Sequence, residues 1–336
     1  MTFTGPSGAF HELYDGWNLL RTARAMYLEP PQMGYFGDLD SERRFDDSAP
    51  AVARLHHKWE PGVPVAERIQ GELALLQLPI LVESEHRVGL SAGGGPGGGG
   101  GPPSVTLDPA AVAAVDTDAV KGSALGSRVA VIDTGDLLGK SMMSDFTGGL
   151  AGPMPADDIV GHGTAVAEVI RQVNPRSDVS ALRAVNAQQG GSYELLCAMT
   201  YALWSGMFDL VNVSLSAQGT NTCMTVLGGS LDMVLDICQN NGITPPWIVA
   251  AAGNTTTGQA FGYPASLPGS TVVQAWDFSR SPTSYNVPVP SSHQPVHATG
   301  GDTTDAFGTI TDGAGAVEPI YGTSFAAAVA TALLVP

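Results

Sequence analysis

The sequence contains few charged residues, and basic residues are especially scarce. Asp, Glu, Lys and Arg make up 14% of the 336 residues, and 15 basic residues face 32 acidic ones. Because binding to a phosphate backbone needs clustered Lys and Arg, we expect no nucleic-acid partner. The net charge of -17 favours solubility and says little else about function.

Long apolar runs and cysteines are also scarce. No apolar run approaches the roughly 18 residues that a membrane-spanning helix needs, so we expect no membrane partner. The start, MTFTGPSGAF, lacks the basic and apolar regions of a signal peptide, which predicts a cytoplasmic protein, or a secreted one if a signal has been trimmed. Cys197, Cys223 and Cys238 form an odd number without metal-ligand spacing, which suits a reducing compartment; Cys197 and Cys238 are expected to be buried thiols.

Eleven consecutive Gly and Pro residues at 93–103 mark the clearest boundary in the chain. Such a segment cannot bury apolar surface and is costly to order, so it predicts a flexible linker. We expect an N-terminal domain at 1–92 and a larger domain at 104–336. The alternative is a surface loop inside a single domain.

The N-terminal part shows two amphipathic helical patterns, at 13–27 and 65–76, a short apolar segment at 80–82, and a loop-rich middle. This predicts a small α-rich or α+β domain. His56 and His57 are adjacent, so their side chains point apart on any regular element, and we expect a solvated pair rather than a metal site.

After residue 104, short apolar strands alternate with helical patterns. The predicted strands are 128–132, 179–185, 210–215, 247–251 and 271–275. The predicted helices carry apolar stripes at Val166, Val169, Ile170 and Val173, at Leu195, Leu196, Met199 and Leu203, and at Leu231, Val234, Leu235 and Cys238. This alternation predicts an α/β fold with three layers and a doubly wound, mostly parallel sheet, whose functional residues collect at the carboxyl ends of the strands.

Four polar residues follow predicted strands or open predicted helices. Asp133 ends the first strand, His162 lies between two glycines before a helix, Asn254 follows a strand, and Ser324 precedes an Ala-rich helix. Each has an ordinary structural explanation: a turn residue for Asp133 and Asn254, a cap-region residue for His162, and an N-cap for Ser324. The two glycines would leave the imidazole open to approach.

The combination of the four is far more specific than any one of them. A serine hydroxyl needs a neighbouring imidazole to remove its proton, and the imidazole needs a carboxylate to fix its tautomer. The tetrahedral intermediate needs hydrogen-bond donors for its oxyanion. Asp133, His162, Asn254 and Ser324 supply these roles, in the Asp-His-Ser order of subtilisin.

From about residue 119 to the end, the chain resembles the subtilisin-like serine proteases (subtilases). VAVIDTG resembles the aspartate motif, GHGTAVA the histidine motif, AAGN the oxyanion motif and YGTSFAA the serine motif. QGGSY, VSL and GYPA resemble the family's segments around the substrate channel.

The resemblance implies a subtilisin-like domain in which Asp133, His162 and Ser324 form the triad and Asn254 belongs to the oxyanion hole. It implies a substrate-binding set of Gly190, Gly191, Ser192, Ser214, Leu215, Ser216, Ala252, Gly253 and Thr323. No metal ligands and no cofactor are expected. A structural calcium ion is conceivable near Asp145, Asp157 and Asp158, but we expect these acids to be ordinary surface residues.

The sequence departs from the family pattern at several places. Ala165 replaces a second His, Ser216 replaces a Gly in the substrate channel, and Ala328 replaces a Pro in the last helix. Most members also continue beyond that helix, whereas this sequence ends at Pro336. No catalytic group is lost, but Ser216 puts the side-chain preference of the primary pocket in doubt.

The resemblance implies a serine endopeptidase that acts on a protein or peptide through an acyl-enzyme. Residues 1–92 have a size compatible with a cleaved propeptide, but they do not resemble one closely, and we favour a regulatory domain that binds a protein partner. The alternatives are a catalytically silent peptide-binding module and an acyl-transfer peptide ligase.

Overall fold

The structure is a computed structural model. It describes residues 103–115, 126–138, 143–146, 152–153, 158, 160–185, 189–218, 231, 234–235, 238–239, 242–255, 261–311 and 315–334, together with the backbone of four short earlier strands. In chain order the elements are β1 (Thr2–Thr4), β2 (Phe10–Glu12), β3 (Leu55–His56), β4 (Arg87–Leu90), β5 (Ser104–Leu107), α1 (Pro109–Ala113), β6 (Arg128–Asp133), β7 (Met143–Asp145), β8 (Gly152–Pro153), α2 (His162–Val173), β9 (Asp178–Arg183), β10 (Gln189–Gly191), α3 (Ser192–Trp204), β11 (Leu210–Val213), β12 (Leu215–Gln218), β13 (Trp247–Ala251), β14 (Thr271–Trp276), β15 (Val296–Thr299), β16 (Gly308–Thr311), β17 (Val317–Pro319) and α4 (Thr323–Leu333).

An eight-stranded sheet forms the centre of the fold, in the order β15-β14-β13-β11-β6-β9-β7-β8. Seven strands are parallel, and β8 joins the edge antiparallel to β7. The predicted mostly parallel sheet is therefore confirmed. β9 lies on one side of β6, whereas β11 lies on the other. Such a reversal opens a crevice at the carboxyl ends of the two flanking strands, here β6 and β11.

Helices cover both faces of this sheet, which explains why its strands are apolar on both sides. On β6, Val129 and Val131 pack in one cluster with residues of α1, α2 and α4. Ala130 and Ile132 point to the opposite face and pack with residues of α3. The result is the predicted three-layer α/β arrangement.

The predicted strand at 210–215 is wrong as a single element. The chain leaves the parallel sheet after Val213, and β12 begins at Leu215 in a different, antiparallel sheet. Ser214 lies at the break, where its side chain and carbonyl bond to Ser324 instead of to a neighbouring strand. The strand predicted at 179–185 also ends earlier, at Arg183.

Three small antiparallel sheets complete the description, in the orders β2-β1-β3, β17-β16-β5 and β10-β4-β12. β4 was not predicted. The helices predicted at 13–27 and 65–76 and the strand at 80–82 lie outside the described residues, so the N-terminal domain stays a prediction. Pro103, the last residue of the predicted linker, is buried beside Gly161.

Among the described residues, no helix combines the length and apolarity needed to cross a membrane.

Candidate active site

The four predicted catalytic residues lie at the carboxyl edge of the central sheet. Asp133 is the last residue of β6, His162 is the first of α2, and Ser324 is the second of α4. Asn254 follows β13 by three residues. None of the four is more than 1% exposed, so all lie in a desolvated part of the crevice.

Asp133 and His162 form a direct buried pair. The Nδ1 atom of His162 lies 2.8 Å from Oδ1 of Asp133, and the same oxygen accepts the N–H of Thr134 at 2.8 Å. Because a carboxylate only accepts hydrogen bonds, Nδ1 is the donor and Nε2 is left as the basic nitrogen. Nε2 is buried and has no hydrogen-bond partner among the described residues. The ring packs against Phe325 of α4, with 5.4 Å between centroids.

The glycines beside His162 determine the local backbone geometry. Gly161 has φ 84°, a left-handed conformation that most residues avoid. A Cβ on Gly163 would lie 2.5 Å from the carbonyl oxygen of Gly135, so only glycine lets the loop after β6 lie this close to α2. The two glycines therefore bring His162 to Asp133.

Asp158 holds the start of α2 in place. Its carboxylate accepts the backbone N–H groups of Val160, Gly161 and Thr164 and the hydroxyl of Thr164, at 2.7–3.1 Å. A carboxylate at this position satisfies N–H groups that the helix leaves unpaired and complements the positive helix end. Asp158 is fully buried, so the expectation of a surface acid was wrong for it.

Ser324 is not the N-cap of α4, because Gly322 occupies that position. The Ser324 hydroxyl donates to the carbonyl of Ser214 at 3.4 Å, whereas His162 Nε2 has no partner among the described residues. Ser214 donates its hydroxyl to the Ser324 carbonyl and to Asn212 Oδ1, each at 3.1 Å. These bonds fasten the start of α4 to β11.

The amide orientation of Asn254 is set by Thr323. Oδ1 of Asn254 accepts the backbone N–H of Thr323 at 3.2 Å and its hydroxyl at 2.9 Å. This orientation leaves Nδ2 as the donor end of the amide. The Thr323 hydroxyl also accepts the N–H of Gly253 at 3.3 Å, which ties the β13 loop to α4.

The residues predicted to bind substrate fall into two groups. In the first group, Gly190 and Gly191 lie on β10, Ser192 opens α3, Leu215 and Ser216 open β12, and Ser214 directly precedes β12. Ser214, Leu215 and Ser216 are buried. Near Asn254 lie Ala252, Gly253 and Thr323, of which Ala252 and Thr323 are at most 2% exposed. The bond from Ser214 to Ser324 and the bond from Gly253 to Thr323 connect the two groups through the start of α4.

A strand of the chain itself lies between β10 and β12. In the antiparallel register, Leu90 of β4 pairs with Leu215, and Gly89 pairs with both Ser216 and Gln189. The space between β10 and β12, called the groove below, thus holds an extended backbone that pairs on both sides. β4 was not predicted from the sequence. The only signal for it was the resemblance of the segments QGGSY and VSL, on either side of it in the sheet, to a substrate channel.

A chain of buried hydrogen bonds behind Ser324 was also not predicted from the sequence. Asn212 of β11 donates to the hydroxyl of Thr331 at 2.9 Å, and Thr331 donates to the carbonyl of Ala327 at 2.8 Å. Together with the Ser214 bonds, this chain connects β11 to two turns of α4. Asn212 and Thr331 are polar residues within apolar stretches of the sequence. Because buried polar groups require hydrogen-bond partners, they could have indicated this contact.

No group of three His, Cys, Asp or Glu side chains suited to a metal ion occurs in the described part of the chain. Asp145 is buried and pairs with Arg183, at 2.5 Å between Oδ2 and Nη2, so it is not the surface acid we expected. Asp157 lies outside the described residues. Cys238 is buried and free, as predicted, and burial raises the pKa of its thiol to about 11.

Comparisons with known proteins give a family match and similarity to solved structures. A model of the subtilase family matches residues 125–335. Among solved structures, the epidermin leader peptide processing serine protease (EpiP) of Staphylococcus aureus is similar, with 15% identity and a TM-score of 0.49 over 66% of each chain. No curated protein matches. Because the family match covers more than half of the sequence, the chain belongs to the subtilase family of serine peptidases.

Proposed function

We propose that the chain is a serine endopeptidase that cleaves peptide bonds through Asp133, His162 and Ser324. The observation that carries this proposal is the buried 2.8 Å pair of Asp133 and His162. It leaves the basic nitrogen of His162 in the crevice where α4 presents Ser324. The groove between β10 and β12 suits an extended chain, because it offers backbone pairing on two sides.

In the first step, Oγ of Ser324 attacks the scissile carbonyl carbon and its proton passes to Nε2 of His162. The negative charge of Asp133 stabilises the imidazolium that results. When the intermediate collapses, the C–N bond breaks, His162 gives the proton to the leaving amine, and an acyl-enzyme remains. Water, deprotonated by the same imidazole, then attacks the ester carbonyl. The bond between the acyl carbon and Oγ breaks, and His162 returns the proton to Oγ of Ser324. The Ser324 hydroxyl must turn from Ser214 to Nε2 before the first step.

The oxyanion of the intermediate would be held by two donors. Nδ2 of Asn254 is one, because Thr323 fixes the opposite end of the amide. The other is the backbone N–H of Ser324, one of the first four N–H groups of α4, which have no acceptor within the helix. The positive end of the helix adds to this stabilisation.

Cleavage of a mixed peptide library, read by mass spectrometry, tests the proposal. We expect new termini with wild-type protein and none with Ser324→Ala. A catalytically silent binding module would retain peptides without cleaving them, and a ligase would produce joined peptides when an amine acceptor is added. Either result would replace the endopeptidase assignment.

We further propose that the chain regulates this site with its own strand β4. β4 is the central strand of the sheet β10-β4-β12, so a substrate that pairs with the same two strands must displace it. Its position fits both the propeptide and the regulatory-domain hypotheses. Mass spectrometry separates them: Ser324-dependent cleavage between β4 and β5, at 91–103, supports a propeptide, and an intact wild-type chain supports a retained regulatory domain.

Val88→Pro tests whether β4 blocks the groove. β4 is paired on both sides, so proline at its centre removes a backbone donor and disrupts the pairing. We expect a higher initial rate on added peptides than in wild type. Val296→Pro makes the same substitution at the first residue of the edge strand β15, at the amino end of the central sheet; it is the matched control and should not change the rate. An unchanged rate in Val88→Pro would contradict the blocking role.

A further inference from the structure

Three charged side chains join the loop after β6 to helix α2. Arg171, on the third turn of α2, donates from Nη2 to Oδ2 of Asp136 and from Nη1 to Oε1 of Glu168, both at 2.7 Å. The side chains of Asp136, Glu168 and Arg171 are 1%, 10% and 15% exposed. Asp136 lies three residues after Asp133, and its Oδ1 also accepts the N–H of Leu138 at 3.0 Å.

Stability alone does not account for this network. Burying a guanidinium and two carboxylates carries a desolvation penalty, and apolar side chains of similar volume are often at least as stabilising. An ion pair fixes the distance and angle between its side chains, whereas an apolar contact does not. A guanidinium that bonds two carboxylates through different nitrogens holds both within narrow limits of distance and angle.

Three hydrogen bonds join this loop to α2, and the bond made by Arg171 is the one farthest along the helix from His162. Near His162, the hydroxyl of Thr134 accepts the N–H of Gly163 at 2.8 Å. One residue further along the helix, the hydroxyl of Thr164 accepts the N–H of Leu137 at 2.9 Å. The bond from Arg171 to Asp136 adds a third tie, about two turns beyond Thr164.

The geometry points to Asp136 and Arg171 as positioning residues for the pair of Asp133 and His162. The loop carries Asp133 and the helix carries His162, so a bond that fixes the loop along the helix fixes the distance between the two reacting side chains. Glu168 lies on α2 itself and orients the guanidinium of Arg171. The inference depends on the proposed peptidase activity for its kinetic readout only.

Arg171→Met tests the inference, with Arg128→Met as the matched control. A small displacement of a catalytic group can cost up to about 10²-fold, so we expect kcat to fall about 10–100-fold. KM should change less than about twofold, since neither positioning residue lies on β10 or β12. Arg128→Met makes the same substitution in the Arg128–Asp209 pair at the amino end of β6 and should leave kcat unchanged.

Two further variants separate positioning from general stability. Glu168→Gln keeps the tie between loop and helix, so kcat should stay within about threefold of wild type. Arg171→Lys restores a charge but not the two-carboxylate geometry, and it should recover part of the lost kcat. If Arg171→Met does not fold, Asp136→Asn replaces it, because the amide keeps an acceptor for the Leu138 N–H.

Proton NMR gives a readout that needs no peptidase activity. We expect the proton between His162 Nδ1 and Asp133 Oδ1 to resonate far downfield, because it lies in a short hydrogen bond to a carboxylate, and it can be followed in a Ser324→Ala background. We expect this signal to shift or broaden in Arg171→Met or Asp136→Asn and to persist in Arg128→Met and Glu168→Gln. An unchanged signal in the first two variants, or an equal loss of kcat in Glu168→Gln, would overturn the inference. Absence of cleavage by wild-type protein would instead refute the proposed function.

Discussion

Replacing Asp133 by Asn isolates the contribution of one negative charge to catalysis. Oδ1 of Asp133 accepts both the His162 Nδ1–H and the Thr134 N–H. An Asn that keeps its oxygen there preserves the tautomer of His162 and puts its NH₂ group where Oδ2 lies. Oδ2 has no hydrogen-bond partner among the described residues, so the variant keeps the geometry and loses the charge.

The expected loss follows from Coulomb attraction. Charges about 4 Å apart at an effective dielectric constant of about 20 attract by about 4 kcal/mol. Because the imidazolium forms only as the reaction proceeds, this stabilisation acts on the transition state and corresponds to about 10³ in kcat. If the amide turns and donates to Nδ1, the wrong tautomer is imposed and the loss reaches about 10⁴.

Steady-state kinetics on a peptide substrate measures this effect, with folding checked by circular dichroism. We expect kcat to fall about 10³–10⁴-fold and KM to change little. The control is Asp209→Asn, which removes a partly exposed carboxylate at the opposite end of the sheet and should leave kcat unchanged. A kcat for Asp133→Asn within about tenfold of wild type would refute the role of Asp133.

Four other substitutions or treatments give separate tests. Asn254→Ala should lower kcat about 10²–10³-fold with little change in KM, which is the loss that subtilisin shows when its oxyanion asparagine is removed; full activity would exclude an oxyanion role. Thr331→Val should lower the free energy of unfolding in urea by about 1–3 kcal/mol, because it removes the acceptor of the buried Asn212 amide; no loss would mean that the amide finds another partner. Gly163→Ala should lower both stability and kcat, since its Cβ would lie 2.5 Å from a carbonyl of the loop after β6; wild-type kinetics would contradict that close packing. The pKa of Cys238, raised by burial to about 11, keeps its thiol neutral near pH 8, so iodoacetamide should modify it only after unfolding, as mass spectrometry can show.

Much of the central sheet could be predicted from the sequence. β6, β13 and β14 are short apolar runs between turn residues, and burial on both faces gives that pattern directly. The rule that parallel strands end at one edge then predicted that Asp133 and Asn254 lie at the same edge.

The break between β11 and β12 could not be predicted, because its cause lies far away in the sequence. LVNVSLSA reads as one continuous strand. The chain leaves the sheet at Ser214 because that residue exchanges hydrogen bonds with Ser324, which is 110 residues away. Local patterns carry no information about a partner at that distance.

The burial of acidic residues was also predicted wrongly. Asp145 and Asp158 were expected at the surface but are buried. Asp136, for which nothing was predicted, is buried as well. Each has partners that only the folded chain brings together: Arg183, the start of α2 and Arg171. Composition gives the average exposure of an acid, whereas burial depends on a specific partner.

Labelling with a fluorophosphonate tests the central claim most directly, since the probe reacts with a serine that a neighbouring base activates. Wild-type protein and Val88→Pro would both be treated, and the modified residue would be located by tandem mass spectrometry. We predict one adduct, on Ser324, that is absent in Ser324→Ala and greatly reduced in His162→Ala. An adduct on another residue, or no adduct in either protein, would contradict the assignment of Ser324 as the nucleophile.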